Sequence, residues 1–151
     1  DLGYRWYGNR ALMSLRLEKG WGAWGLEFRP DFNAVESGMD AFINWNKDFV
    51  GKEATQAFKD QGVERKLVTL TVDTPIDVTL DEAVLVDGEA VGYITSGSFA
   101  HHVEQSMAMA YVATPFADAG AKVTVEILGE MHDAVIMGAP AYDPNGGRMR
   151  S

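Results

Sequence analysis

Cysteine is missing altogether from the 151 residues. Its absence excludes disulfides, thiolate-ligated zinc, iron–sulfur clusters and thiol nucleophiles together, and it fits a reducing compartment. Basic residues are scarce: 13 Lys and Arg stand against 22 Asp and Glu, a net charge of −9, with a pI near 4.7. A field of that sign repels phosphate backbones and anionic lipid surfaces, so neither nucleic acid nor a membrane is an expected partner. No run approaches the ~18 consecutive apolar residues of a membrane-spanning helix, and the opening DLGYRWYGNRALM lacks the basic-then-apolar pattern of a secretory leader. There is no initiating Met, and an opening inside an aromatic-rich segment reads as a piece of a longer polypeptide. Histidine is limited to three residues.

What remains is ordinary globular material: 46% hydrophobic, 23% charged, mean hydropathy −0.13. A chain of this length removes about 70% of its unfolded surface from water on folding and needs no covalent staples. Residues 9–19 place Ala11, Leu12, Leu15 and Leu17 at helical spacing, with Gly20 as the stop. An irregular loop carrying Trp21, Trp24 and Phe28 follows. Residues 41–45 read as a short strand. A helix begins at Gly51, with Ala54, Ala57 and Phe58 on one face and Gly62 as a left-handed cap. Beyond Gly62 the pattern turns to short β-rich runs at 67–72, 83–86, 90–94, 107–112, 122–127 and 131–137. Asp87-Gly88 between apolar runs predicts a hairpin with a type I′ turn, and Leu128-Gly129-Glu130 joins the last two strands. The fold class is therefore α+β, mainly β, its second part a compact antiparallel sandwich or barrel. The tail YDPNGGRMRS reads as turn-forming and loose.

Candidate chemistry is sparse. His101 and His102 are adjacent and, if extended, point to opposite sides of the backbone, so they cannot comfortably share a metal. Two readings stand: polar residues in a loop, or a pair facing a substrate. Thr95-Ser96-Gly97-Ser98 lacks the glycines of a nucleophile elbow. Gly20-Trp-Gly22-Ala-Trp-Gly25 matches GxGxxG, yet no strand precedes it and the tryptophans would crowd a phosphate. Asp81-Glu82 reads as solvated turn charge, and no metal site is expected. The unusual segment is 16–36, where Arg16, Glu18, Trp21, Trp24, Glu27, Arg29 and Glu36 gather around a glycine-rich loop. Rings and carboxylates together suit a flat heterocycle with paired N–H donors. Alternatively, the tryptophans fill space at a junction and Arg16 pairs locally with Glu18.

Taken in order, ALMSLRLEKGWGAWG, PDFNAVESGMDAFINW, KDFVGKEA, VGYITSGSFAHHVEQSMAMAYV and YDPNGGRMR resemble the C-terminal part of the aminomethyltransferase superfamily. That group contains the glycine cleavage T-protein and the folate-linked halves of dimethylglycine and sarcosine dehydrogenases. Ala11-Leu12, where the T-protein has Ala-Arg-Asp, and the tryptophan-rich continuation are more like the dehydrogenases of bacterial type. The resemblance implies that residues 1–60 end an α/β folate-binding domain and residues 61–151 form the aminomethyltransferase C-terminal β-barrel. It implies an oxidoreductase of one-carbon metabolism. An upstream FAD domain oxidises an N-methylglycine, and tetrahydrofolate takes the one-carbon unit. FAD and the catalytic carboxylate would lie before Asp1, so no catalytic residue is expected in this chain, which alone would be inactive. On the folate side the resemblance implies Trp24 and Glu36, with Arg10 or Arg16 replacing the arginine lost at Leu12. His101 and His102 would face the substrate channel. The enzyme would be cytoplasmic in a bacterium and in the mitochondrial matrix of a eukaryote. The alternative is a stand-alone aminomethyltransferase, without flavin. A cluster-assembly role is disfavoured because those relatives carry a cysteine motif.

Overall fold

A computed structural model describes residues 3–150. Six antiparallel strands close into a barrel in the order β1-β4-β3-β2-β5-β6: β1 Arg65–Val72, β2 Ala83–Val86, β3 Glu89–Ala100, β4 Gln105–Ala113, β5 Lys122–Ile127 and β6 Glu130–Ile136. The strands fall where the alternation predicts them. In β1, Val68, Leu70 and Val72 point inward and are buried, while Leu67, Thr69 and Thr71 are half-buried on the outer face. These join Val84, Ile94, Val125, Ile127 and Ile136 in one interior cluster. Closure through β1 and β6 leaves no free edge.

Strand β4 explains how the rest of the chain attaches. Ser106 through Val112 are buried without interruption. Its inward residues Ala108, Ala110 and Val112 line the barrel, and its outward Met107 and Met109 form a second cluster with Leu17 and Ala100. A strand buried on both faces must have a cover on the outside. The cover is helix α1, Asn9–Glu18, packed on β3 and β4. Further along, Phe32 stacks on the outward ring of Tyr111 at 3.7 Å and 21°.

Both hairpin turns obey the left-handed requirement. Asp87 and Gly88 have φ of 52° and 83°, and Leu128 and Gly129 have φ of 51° and 86°. Three expectations are corrected. Residues 41–45 form no strand; a 3-10 turn spans Met39–Phe42, because Ala34 O accepts both Met39 N–H and Asp40 N–H and the closed barrel offers nothing to pair with. Gly62 has positive φ, 85°, but ψ of 170°, a conformation that belongs to glycine and is not the αL cap. The tail is folded: Tyr142 N–H donates to Glu18 O at 2.9 Å, and Asp143 organises the turn after it. Helix α2, Lys52–Gln61, falls where the sequence places it. No helix among the described residues is long and apolar enough to cross a membrane.

Two substitutions test this packing by equilibrium unfolding in denaturant. Leu128 is exposed and left-handed, a conformation in which a branched side chain is strained, so Leu128→Asn raises stability by about 0.5–1 kcal/mol. A Cβ on Gly92 would collide with Tyr111 O and lie 2.9 Å from Val112 Cα, both backbone, so Gly92→Ala lowers stability by about 1–3 kcal/mol.

Candidate functional site at the junction of α1 and the barrel

The Glu27 carboxylate ties α1 and the loop after it to β3. Glu27 is wholly buried. Its Oε2 accepts from Arg16 Nη1 at 3.1 Å and from Ala23 N–H at 2.7 Å. Its Oε1 accepts from Thr95 Oγ1 at 2.7 Å and from Ser96 Oγ. Neighbouring strand residues normally face opposite ways. Here the register between β3 and β4 shifts between Ile94 and Ser96, and this bulge lets both hydroxyls reach one oxygen. Tyr111 O–H donates to Glu27 O at 2.9 Å. Burial raises the Tyr111 pKa, and the charges of Glu36 and Glu27 push it further the same way. Burial pulls the Arg16 guanidinium down, opposed by the Glu27 charge and hydrogen bond. Arg16 also contacts Met13 Sδ, Trp21 O and Met109 Sδ.

Fixing α1 in this way fixes a second contact line. Ser14 and Glu18, one helical turn apart, are buried and face the turn between β3 and β4. Ser14 Oγ accepts His101 N–H at 3.1 Å, and Glu18 Oε1 accepts His102 N–H at 2.8 Å. The His101 ring meets Phe99 edge-on at 5.1 Å, and the His102 ring meets Tyr142 edge-on at 4.6 Å. Beside them lies a cleft of about 350 Å³ lined by Leu15, Glu18, Lys19, His102, Tyr142, Asp143 and Arg148. Lys19 Nζ reaches Asp143 Oδ2 at 3.2 Å and also donates to Asp143 O. Arg148 Nη1 donates to Tyr142 Oη at 3.0 Å. The cleft thus has apolar and aromatic walls and a rim on which the cations Lys19 and Arg148 alternate with the carboxylates of Glu18 and Asp143.

The sequence-derived residues lie at separate places. His102 lines the cleft, whereas the neighbouring His101 ring lies against Phe99. Arg16 is not at any surface, being 7% exposed and committed to Glu27 rather than to Glu18. Arg10 is exposed and pairs with Asp77 at 2.6 Å. Trp24 is 89% exposed. The Glu36 carboxylate is buried in a tie between loop and barrel: Oε2 accepts from Asn33 N–H at 3.0 Å and Nδ2 at 2.9 Å, and Oε1 from Arg65 Nε at 3.0 Å. Among the described residues no hydrogen bond or ion pair joins Arg10, Trp24 and Glu36 to one another. Nor do three or more acidic or histidine residues gather as a metal site there. Lys19, Tyr142 and Arg148 were not picked out by the sequence, since only the tail's return to α1 brings them to His102.

Comparison with known proteins places this geometry. Residues 65–143 match the family model described as the glycine cleavage T-protein C-terminal barrel domain. Human mitochondrial dimethylglycine dehydrogenase is 41% identical over 137 residues, covering 89% of this chain and 16% of that protein. An aminomethyltransferase of Picosynechococcus sp. is 38% identical over 144 residues, covering 94% of this chain and 40% of that protein. The crystal structure of aminomethyltransferase T of the glycine cleavage system from Bartonella henselae superposes with a TM-score of 0.86 at 25% identity, over 93% of this chain and 40% of that one. The chain thus spans well under half the length of these relatives.

The tail clasp has a pH signature. Burial raises the Asp143 carboxyl, but hydrogen bonds from Lys19 and from the Gly147 amide, with the Lys19 charge, outweigh it and hold the group below its ordinary value. A pKa depressed by folding gives stability that is present above the unfolded value and lost as pH falls through the folded one. The Gly147 amide shift, followed by NMR, therefore titrates with a midpoint below about 3.9, the ordinary Asp value. In Asp143→Asn that titration disappears.

Proposed function

Because the chain belongs to the glycine cleavage T-protein C-terminal barrel domain family, we propose that it is the folate-side C-terminal part of an FAD-linked N-methylglycine dehydrogenase. In this reading the parent enzyme oxidises dimethylglycine or sarcosine and passes the one-carbon unit to tetrahydrofolate. The observation that carries it is the likeness to dimethylglycine dehydrogenase along most of the chain, with 41% of aligned residues identical. The division near residue 60 into the end of a folate-binding domain and a barrel domain belongs to the same proposal, as does a mitochondrial matrix or bacterial cytoplasmic location.

The cleft beside α1 fits part of a folate. Leu15 and Tyr142 offer flat apolar contact, and Lys19, Arg148 and His102 stand where a carboxylate tail would need cations or N–H donors. When bound, tetrahydrofolate supplies the nucleophilic nitrogen that accepts the one-carbon unit. This chain's own part is binding and orientation. Ser14 and Glu18 set the His101–His102 turn at the cleft through its backbone, and the Lys19–Asp143 clasp sets the opposite wall. Arg10 is the arginine of the proposed pair that reaches solvent, whereas Arg16 acts through Glu27 by holding the helix. Trp24 and Glu36 are proposed to serve the folate side as an exposed stacking surface and as the anchor of its loop. FAD would be held by residues outside this chain.

A second reading, a stand-alone aminomethyltransferase acting without flavin, is favoured by the superposition on the glycine cleavage enzyme. The two separate by the visible spectrum of the native polypeptide, recorded anaerobically before and after adding dimethylglycine or sarcosine. A flavin band that bleaches supports the dehydrogenase; a colourless protein overturns it in favour of the transferase. Tetrahydrofolate affinity tests the cleft through Lys19 and, separately from it, the proposed folate-side arginine through Arg10. Losing a charge-assisted contact costs about 1.5–3 kcal/mol, so Lys19→Glu or Arg10→Glu in the native polypeptide weakens binding by about tenfold or more. Unchanged affinity in both removes these cations from the site.

A further inference from the structure

The tail turn contains a pair of residues whose chemistry the proposed function leaves unused. Among the asparagines only Asn145 is followed by glycine, and Asn145 is exposed. An Asn-Gly pair is open to attack within the chain, because glycine has no Cβ to hinder the approach of its nitrogen to the preceding side chain. A Cβ at Gly146 would meet nothing within 4 Å, so the packing around the turn does not shield the pair either. What restrains it is hydrogen bonding. Asp143, Pro144, Asn145 and Gly146 stand in an order that suits a β-turn, closed here by Gly146 N–H donating to Asp143 O at 2.9 Å. Gly147 N–H donates to Asp143 Oδ1 at 2.8 Å. Lys19 Nζ donates to the same Asp143 carbonyl and reaches Oδ2 at 3.2 Å. The nitrogen that would attack is therefore the one whose proton closes the turn. Helix α1 holds that turn through Lys19 and through Glu18 O, which accepts Tyr142 N–H at 2.9 Å.

We propose that Asn145 is a site of spontaneous deamidation whose rate is governed by the Lys19–Asp143 clasp. In the reaction the Gly146 nitrogen gives its proton to solvent base and bonds to Asn145 Cγ, the bond from Cγ to the side-chain nitrogen breaks, and ammonia leaves. The resulting succinimide adds one water and opens to aspartate or, through its other carbonyl, to isoaspartate. Nothing is oxidised or reduced. While the clasp is closed, the Gly146 N–H stays in its bond to Asp143 O and the first step is blocked; local opening of the turn releases it. Conversion then acts back on the clasp. The succinimide has no N–H at position 146 with which to close the turn. Isoaspartate lengthens the backbone between Asp143 and Gly147 by a methylene, so the Gly146 and Gly147 bonds to Asp143 do not both re-form. Either product also sets a new carboxylate close to Asp143, as a second anion for Lys19. The cleft wall of Tyr142, Asp143 and Arg148 is thereby released from α1.

Ageing at neutral pH tests it, with the native polypeptide and a synthetic peptide of residues 141–150 held side by side and their asparagine, aspartate and isoaspartate forms separated by peptide mapping. In the protein, Asn145 converts about tenfold or more slowly than in the peptide, because only the open fraction reacts. Lys19→Met removes charge-assisted bonds to the turn and speeds conversion in the protein by about fivefold or more. The aged protein loses the low-pH titration of the Gly147 amide, whereas Asn145→Gln keeps that titration through the same treatment. Equal rates in protein and peptide overturn the proposal, and so does a rate that Lys19→Met leaves unchanged. An aged, fully converted protein that still shows the Gly147 titration overturns the effect on the clasp. The comparison of protein with peptide needs no variant, so it decides the matter even if Lys19→Met does not fold.

Discussion

The buried carboxylate of Glu27 ties helix α1 and the loop after it to the barrel. It sits without solvent contact between a helix, a loop and a strand, and each supplies a donor: Arg16 from α1, the Ala23 amide from the loop, and the Thr95 and Ser96 hydroxyls from β3. A charge taken out of water costs several kcal/mol unless its lone pairs are filled, and here both oxygens are doubly engaged. The same low-dielectric setting that makes the group costly to bury makes it specific. Moving α1 would strand a carboxylate, a guanidinium and two hydroxyls at once.

The site inherits its order from that contact. Arg16 ties down the helix, and on the same helix Ser14 and Glu18 accept the two histidine amides while the Glu18 carbonyl receives the tail through Tyr142. The cleft therefore has three walls from distant stretches of sequence, all referred to α1. Apolar packing reinforces the same helix, since Leu17 lies among Met107, Met109 and Ala100 on the outside of β4. In the proposed enzyme this rigidity is useful, because a bound cosubstrate must be held against a one-carbon unit delivered from elsewhere in the protein.

How far the fold was legible follows from the range of the signals. Inward and outward alternation in β1 and the Asp87-Gly88 turn are local, and both were read correctly. Residues 41–45 misled because an apolar run says nothing about whether a partner strand is available. The tail's order depends on Lys19, 124 positions earlier, and no local rule sees that. Glu27 stood out only as one acid among several; its partners Thr95 and Ser96 become partners through a bulge, and alternation predicts that they face apart. The alternative that pairs Arg16 with its neighbour Glu18 does not hold, because helix geometry sends the two side chains to different tasks. The resemblance to the aminomethyltransferases carried the family correctly, while the partners of Arg10, Arg16 and Glu36 depend on long-range contacts that no local rule sees.

The claim that Glu27 governs the assembly is tested most directly by a double-mutant cycle with Glu27→Gln and Arg16→Met, read by denaturant unfolding and by the amide shift of His102. The account predicts that Glu27→Gln alone costs about 3–5 kcal/mol, because it leaves a buried guanidinium uncompensated. It also predicts that the double variant loses at least about 1 kcal/mol less than the sum of the single losses, with the His102 amide shifted in every variant that stays folded. Losses that add within about 0.5 kcal/mol, with the His102 amide unmoved, would contradict it.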